Sequence, residues 1–163
     1  METIQFGGVI VDMRSYKIVE DIDIYVKPKI HPKLTDFCVE LTGITDERLE
    51  RKGVSLGELC GLLGKKIKPY KHQLEWAGWG AFDGRFLSMD MKRAGLEESY
   101  PLRDIKYNNL SYMFQRAQNA KRKMGLRKAM RKCNIEFSGR HHNGYFDAYN
   151  TSKLLPFILP KQA

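Results

Sequence analysis

IQFGGVIVDMRSYKIVEDIDIYV, residues 4–26, carries the clearest β-strand patterns of the chain. Its first part, Ile4 to Asp12, is apolar and rich in β-branched residues, which predicts a strand buried on at least one face. A short turn around residues 13–16 leads to Lys17–Val26, where polar and apolar residues alternate. Two strands joined so tightly should pair as an antiparallel hairpin. Pro28 ends the second strand because proline cannot donate to a ladder.

The rest of the chain alternates helical patterns with short strand patterns. A short buried strand is expected at Leu74–Gly78, and a weaker strand around Arg103–Tyr107. A capping box formed by Ser55 and Glu58 predicts the start of one helix. Further helices are expected at residues 35–41, 45–50, 81–94, 110–118, 125–133 and 144–158. This order predicts a single α/β domain over residues 1–163, with a mixed sheet that is antiparallel at the hairpin and parallel later.

Length and composition favour a globular domain. The chain has 163 residues, of which 42% are hydrophobic and 11% aromatic, enough for a packed core. No stretch approaches the roughly 18 consecutive apolar residues of a membrane span, and residues 1–5 do not form a signal-peptide pattern. We therefore expect a cytoplasmic protein. The cysteines, Cys38, Cys60 and Cys133, are odd in number and widely separated, so we expect reduced thiols rather than a disulfide framework or a zinc site.

The charge balance favours a polyanionic partner. Lysine and arginine together number 28 against 19 acidic residues, which gives a net charge of +9, and contacts to phosphates release counterions. Positive charges concentrate between residues 116 and 140, where Arg127, Lys128 and Arg131 lie near one another on a predicted helix. This surface could guide the phosphates of a nucleic-acid strand, or it could be a solvated helix face. Both interpretations stay open.

Residues 141–148, HHNGYFDA, contain the strongest candidate for catalysis. Five residues of α-helix turn through about 500°, so His142 and Asp147 would lie about 140° apart on one helix. They converge only if His142 occupies the loop before the helix, and Gly144 suits such a start. A loop histidine beside a helical carboxylate suits a general base next to a metal ligand. Taken alone, two solvent-facing residues at a helix start would be the simpler explanation.

Further segments make the pattern specific. His142 and Asp147, followed by Ala148, resemble the third motif of the DEDDh exonucleases, a ribonuclease H-like group that includes ribonuclease T and the proofreading subunits of polymerases. The tyrosine variant of that family would place Tyr at position 143, where this chain has Asn. The other resemblances, in the family's order, are WGAFD (79–83) to its second motif, FCVELTGIT (37–45) to its substrate loop, and ETIQFGGV (2–9) with 26–28 to its second and third strands.

The resemblance implies a ribonuclease H-like α/β fold and a reaction. That reaction is the metal-dependent removal of nucleotides from the 3′ ends of single-stranded RNA or DNA. By the same resemblance, His142 is the general base, while Asp147 and Asp83 bind Mg²⁺ or Mn²⁺ in a two-metal site. A single-stranded nucleic acid would be the partner, and the sequence does not distinguish RNA from DNA because that choice depends on contacts to the 2′-OH.

Substrate-binding residues follow from the same comparison. The matching positions suggest that aromatic and apolar side chains hold the 3′-terminal nucleotide, although Phe37, Leu41 and Phe82 could equally belong to the core. Basic residues of the predicted helix at 125–133 would contact phosphates. The candidates are Leu41, Thr42, Phe37, Phe82, Arg127 and Arg131.

One family feature is not found in the sequence. Members of the family begin with a strand that carries Asp-x-Glu, and this chain starts with the segment that follows it. That strand lies between the hairpin and the strand predicted at Leu74–Gly78, so its absence would leave unpaired edges inside the sheet. Asp83 and Asp147 alone offer few oxygens for near-octahedral Mg²⁺. We therefore expect weak metal binding and little turnover by this chain alone.

Three explanations of this feature are open. The first explanation, which we favour, is that the chain is a truncation or a late start of a longer product. The second is that a partner polypeptide supplies the strand, which would make the chain one half of a split nuclease. The third explanation is a non-catalytic nucleic-acid-binding module with a rearranged sheet. The sequence does not indicate the oligomeric state.

Overall fold

Helices pack around two short sheets in residues 2–159, the part of the chain that the computed structural model describes. Residues 1 and 160–163 of the predicted domain lie outside that range. The strands are β1 (Gln5–Asp12), β2 (Lys17–Tyr25), β3 (Trp76–Gly78) and β4 (Tyr107–Asn109). The helices are α1 (Asp36–Thr42), α2 (Asp46–Lys52), α3 (Leu56–Ile67), α4 (Phe82–Arg93), α5 (Leu110–Ala117), α6 (Leu126–Lys132), α7 (Gly144–Ser152) and α8 (Leu155–Ile158).

The predicted hairpin is present. β1 and β2 pair antiparallel from Gln5 opposite Tyr25 to Asp12 opposite Lys17, with an irregularity between Ile10 and Val11. The predicted α/β class is confirmed, with small sheets flanked by helices. The sheet itself is divided, because β3 pairs in parallel with β4 and, within residues 2–159, neither sheet is hydrogen-bonded to the other. One edge of β1 and one edge of β3 therefore have no ladder partner in the described part of the chain.

Some predicted elements are placed differently. The strand expected around Arg103–Tyr107 is wrong in position: residues 101–105 form turns, and β4 begins only at Tyr107. These turns place Leu102 in the core, and its burial outweighs the strand propensity of the local sequence. The strand expected at Leu74–Gly78 is shorter and half-buried rather than buried. The helix expected at 144–158 is two helices, because Pro156 has no N–H to continue the ladder.

The core is divided in the same way as the sheets. Under the hairpin, side chains of β2, α3 and α4 form one apolar cluster that includes Ile22, Leu59 and Met91. A second cluster joins α5, α6 and α8 around Phe114 and Met130, and Trp79 packs against its edge. The Ser55–Glu58 capping box is present, and the cysteines are free. Within residues 2–159, no helix has both the length and the apolar character of a membrane span.

Asn150 ties the loop that precedes α7 to that helix. Its side chain is fully buried. The Asn150 amide donates to the carbonyl oxygens of Ser138 and Phe146, each at 2.7 Å, and its oxygen accepts from the Ser138 backbone N–H at 2.9 Å. This bonding sets the path of the loop that carries residues 139–143.

Replacing Asn150 should therefore destabilise the protein. Asn150→Ala removes these three part-buried bonds and empties a fully buried side-chain position, which should lower the free energy of unfolding by about 2–4 kcal/mol. Urea denaturation measures the change. Asn108→Ala is the matched control, because Asn108 makes an exposed bond to Glu75 at 2.7 Å and should cost less than about 1 kcal/mol. Equal losses in the two variants would contradict the structural role given to Asn150.

Candidate active site

The start of α7 lies directly against strand β1. A side-chain carbon added at Gly7 would lie 2.0 Å from the backbone of Gly144 and Tyr145, so only glycine permits this approach. Gln5, also on β1, accepts a hydrogen bond from the Gly144 N–H at 2.8 Å and donates to the side chain of Asn143 at 3.2 Å. Asn143 in turn caps the helix. The hairpin thus holds the first turn of α7 in place.

His142 and Asp147 converge as their spacing predicts. His142 lies in the turn before α7 with φ of 65°, a left-handed conformation that histidine tolerates better than most residues. Its backbone N–H donates to Asp147 Oδ2 at 3.2 Å, and its side chain is exposed. Asp147 is in the first turn of α7. A solvent-accessible imidazole therefore lies beside the carboxylate.

His141 also belongs to this site, although the spacing argument named only His142. Its Nε2 lies 3.9 Å from Asp147 Oδ1, and its ring is 3.9 Å from the ring of His142, centroid to centroid. Phe137 supports it through an edge contact at 5.3 Å. Burial lowers the pKa of His141, and His142 and Arg127 lower it further. The adjacent pair of histidines was the available signal, but the sequence did not show that both rings meet the same carboxylate.

The carboxylate of Asp147 has a hydrogen-bond donor at Oδ2 but, among the described residues, none at Oδ1. Its Oδ1 is buried and accepts no hydrogen bond among the described residues. Desolvation raises the pKa of Asp147 to about 7; the bond from the His142 N–H opposes this shift and the charge of Asp83 adds to it. A buried acceptor of this kind is stabilised by a proton or by a cation. The donor set thus fits a metal ligand.

Asp83 approaches the same region from the other sheet. It lies in the first turn of α4, just after β3, and a side-chain carbon at Gly78 would lie 2.8 Å from its Oδ2. Asp83 is solvent-accessible, yet the protein atoms around its carboxylate partly desolvate it and raise its pKa. Tyr107, which the sequence did not single out, borders this carboxylate and donates to the Gly80 carbonyl at 2.6 Å. Burial, with the charge of Asp83, raises the pKa of Tyr107 to about 12.

An exposed apolar face lies on α1 and at the start of α4. Phe37 is 71% exposed and Phe82 60% exposed, and Leu41 is also exposed. The core alternative considered for these side chains is therefore wrong. Phe82 stacks on Phe86 at 5.3 Å. The Thr42 hydroxyl is used locally, since it donates to the Cys38 carbonyl at 2.7 Å and accepts from the Ile44 N–H at 3.1 Å.

Arg140 connects this apolar face to the histidine loop. Its guanidinium donates to the Glu40 carbonyl near the end of α1. The side chain also lies over Gly43, where an added carbon would be 2.8 Å from it and where φ is 72°. Sequence analysis placed Arg140 in the basic cluster, but in the structure it joins two segments of the site.

The basic helix α6 lies beside the site. Its buried face consists of Leu126, Ala129 and Met130. Arg127 extends over the ring of Phe137, 5.8 Å from its centroid, and acts electrostatically on His141. Arg131 is exposed on the same helix. The exposed side chains of α6 are Arg127, Lys128, Arg131 and Lys132.

Several known proteins with similar sequences are named as exoribonucleases. Human ERI1 exoribonuclease 2 is 30% identical to the chain over 175 residues, which cover 94% of this chain and 24% of that protein. Human 3′-5′ exoribonuclease 1 is 26% identical over 160 residues, covering 94% of this chain and 45% of that protein. The chain thus spans less than half of the length of either relative.

The fold is shared with a solved nuclease domain. The nuclease domain of 3′hExo, described as a DEDDh family member bound to rAMP, superposes with a TM-score of 0.85 at 24% identity, covering 94% of this chain and 78% of that one. Residues 1–155 match the sequence family described as Exonuclease. The chain therefore belongs to the exonuclease family.

Proposed function

We propose that this chain is a 3′–5′ exonuclease domain that hydrolyses the terminal phosphodiester bond of single-stranded RNA with the help of divalent cations. The convergence of Asp147, Asp83 and the histidine loop carries this proposal. RNA is favoured over DNA because the similar human proteins are named exoribonucleases. The proposed cation is Mg²⁺ or Mn²⁺, since carboxylate oxygens suit both.

The chemistry assigned to each residue follows from its surroundings. Asp147 Oδ1, which lacks a hydrogen-bond partner, and the carboxylate of Asp83 would hold the cations. Bound there, a divalent cation would lower the pKa of an attacking water and stabilise charge on the leaving oxygen. His142 is exposed beside Asp147 and would accept the proton of that water.

The neighbouring surfaces would hold the substrate. The apolar face of Phe37, Leu41 and Phe82 is accessible for stacking on bases, which is how single strands are held without sequence preference. Thr42 would lie near the terminal nucleotide at the end of α1. Arg127 and Arg131 would contact phosphates upstream of it, because Arg127 lies next to His141.

A second candidate function rests on the division of the sheet. Since β1 and β3 each have an edge without a ladder partner, an extended segment could pair with both edges. A partner polypeptide that supplied such a segment would make this chain one half of a split nuclease. Without such a segment, the chain would act as a nucleic-acid-binding module.

An end-labelled RNA assay separates these functions. The purified chain, in excess over 5′-labelled single-stranded RNA and its DNA equivalent, is incubated with Mn²⁺ or EDTA. We expect RNA binding and a slow ladder that shortens from the 3′ end, because two carboxylates hold the cations weakly. EDTA and Asp147→Asn should abolish the ladder. Binding without any shortening would favour the binding module or split nuclease, and shortening that persists in EDTA would contradict the metal-dependent reaction.

The stacking role of α1 can be tested by binding. Phe37→Ala should weaken single-stranded RNA binding at least about fivefold, because stacking contributes about 1–3 kcal/mol per base. Its melting temperature should change little, since the side chain is 71% exposed. Met89→Ala is the matched control: Met89 is 68% exposed on α4 and should leave binding unchanged. Fluorescence anisotropy measures both, and equal effects in the two variants would rule out a specific stacking role.

If Asp147 is positioned to bind a cation, its charged carboxylate should destabilise the folded state when no cation is present. The folded pKa of about 7 lies above the unfolded value near 3.9, so the folded state binds more protons between these values. Stability should therefore fall as pH rises from about 4 to about 7. In EDTA at pH 8, Asp147→Asn should be more stable than the wild type by about 1–2 kcal/mol, after allowance for solvent screening.

Denaturation at pH 4 and pH 8 measures this difference. The gain should be nearly absent at pH 4, where Asp147 is protonated in the folded state and about half protonated in the unfolded state. Asp12→Asn is the control of opposite sign. Hydrogen bonds from the Ser15 hydroxyl and the Arg14 N–H lower the pKa of Asp12, so the charged Asp12 stabilises the folded state and this contribution is lost as pH falls. If Asp147→Asn is no more stable than the wild type at pH 8, the carboxylate is not destabilising and the argument for a cation fails.

A further inference from the structure

The two histidines and Asp147 bring unlike ligand atoms together. One atom from each of His141, His142 and Asp147 can be chosen so that all three lie within 4.8 Å of one another. Ligands of one transition-metal ion lie closer together than this, given metal–nitrogen and metal–oxygen bonds of about 2.0–2.2 Å. Because the His142 side chain is exposed, metal binding would require it to rotate towards the other two ligand atoms.

The orientation of Asp147 is a second, independent observation. Its Oδ2 accepts the bond from the His142 N–H at 3.2 Å, whereas Oδ1 faces His141 and is buried without a hydrogen-bond partner. One carboxylate oxygen is thus used to fix the group, and the other is left for a ligand. Phe137 holds the His141 ring against this oxygen through its edge contact.

We propose that His141, His142 and Asp147 bind a borderline-soft divalent cation such as Zn²⁺, with the remaining position taken by solvent. Two imidazole nitrogens and one carboxylate oxygen are typical ligands of Zn²⁺. The oxygen-only pair of Asp83 and Asp147 instead suits Mg²⁺ or Mn²⁺. The two sites share Asp147, so they cannot both be filled independently.

The site is electrostatically mixed. Arg127 opposes a cation, since its guanidinium acts on His141. Asp83 favours one, since its charge acts on Asp147. The two charges act in opposite directions, and selectivity would come from the imidazole ligands rather than from charge.

The binding does not rest on the proposed function, but one consequence does. Zn²⁺ on His142 would take up the lone pair that accepts the proton of the attacking water, and on Asp147 it would displace the Mg²⁺ or Mn²⁺ ligand. Zinc should then inhibit the exonuclease even when Mg²⁺ is present, because Mg²⁺ does not compete for the two imidazole nitrogens.

Cobalt titration tests the binding in the absence of RNA. Co²⁺ added to the tag-free chain should give the visible absorption of a nitrogen-ligated, low-coordinate ion, which Zn²⁺ removes and excess Mg²⁺ does not. His141→Gln and His142→Gln should each weaken Co²⁺ binding at least about tenfold. His72→Gln is the matched control, because His72 is exposed in the turn after α3 and should change nothing.

The outcomes distinguish the two proposals. Absence of the Co²⁺ absorption, its removal by Mg²⁺, or indifference to both histidine variants would overturn the zinc site. Melting curves in EDTA show whether each variant is folded, and His142→Gln decides the result if His141→Gln is not. Zinc binding without RNA cleavage in Mn²⁺ would uphold the zinc site while rejecting the proposed activity.

Discussion

The site depends on one close approach between backbones. Gly7 on β1 lets the start of α7 lie so near the strand that a side-chain carbon would be 2.0 Å from Gly144 and Tyr145. Gln5 fixes the contact by bonding the Gly144 N–H at 2.8 Å. Because His142 and Asp147 flank this turn, their positions follow from a strand that carries no charged group of the site. Asn150 stabilises the same arrangement from the other end of α7 through the Ser138 loop.

In this arrangement the protein only partly compensates the charge of the Asp147 carboxylate. Asp147 has one oxygen fixed by the His142 N–H and one buried oxygen without a partner, and desolvation raises its pKa to about 7. Groups held at such a cost occur preferentially at functional sites. A neighbouring carboxylate, Asp83, increases the cost, so the pair is more stable when a cation lies between the charges. The family to which the chain belongs generally uses divalent metal ions.

The sequence predicted those parts of the molecule in which local pattern and tertiary packing agree. The hairpin, the Ser55 capping box and the loop position of His142 follow from alternation, capping chemistry and helical geometry. The strand near Arg103 was misplaced because Leu102 is drawn into the core by contacts that its neighbours in sequence do not reveal. His141 and Tyr107 were missed for a similar reason, since each meets its carboxylate through tertiary packing. The exposure of Phe37 could likewise not be predicted, because an apolar residue in a helix can lie in the core or at the surface.

Because the sheet is divided, the two carboxylates of the site are positioned by separate sheets. Asp147 is positioned by β1 through α7, whereas Asp83 follows β3, and these strands belong to sheets that share no ladder within residues 2–159. The separation of the two carboxylates therefore depends on side-chain packing, including that of Trp79 on Phe114 at 5.6 Å. Packing holds distances less rigidly than a row of backbone hydrogen bonds. A segment that paired with both edges would act on the site without touching it, by fixing the distance between these two carboxylates.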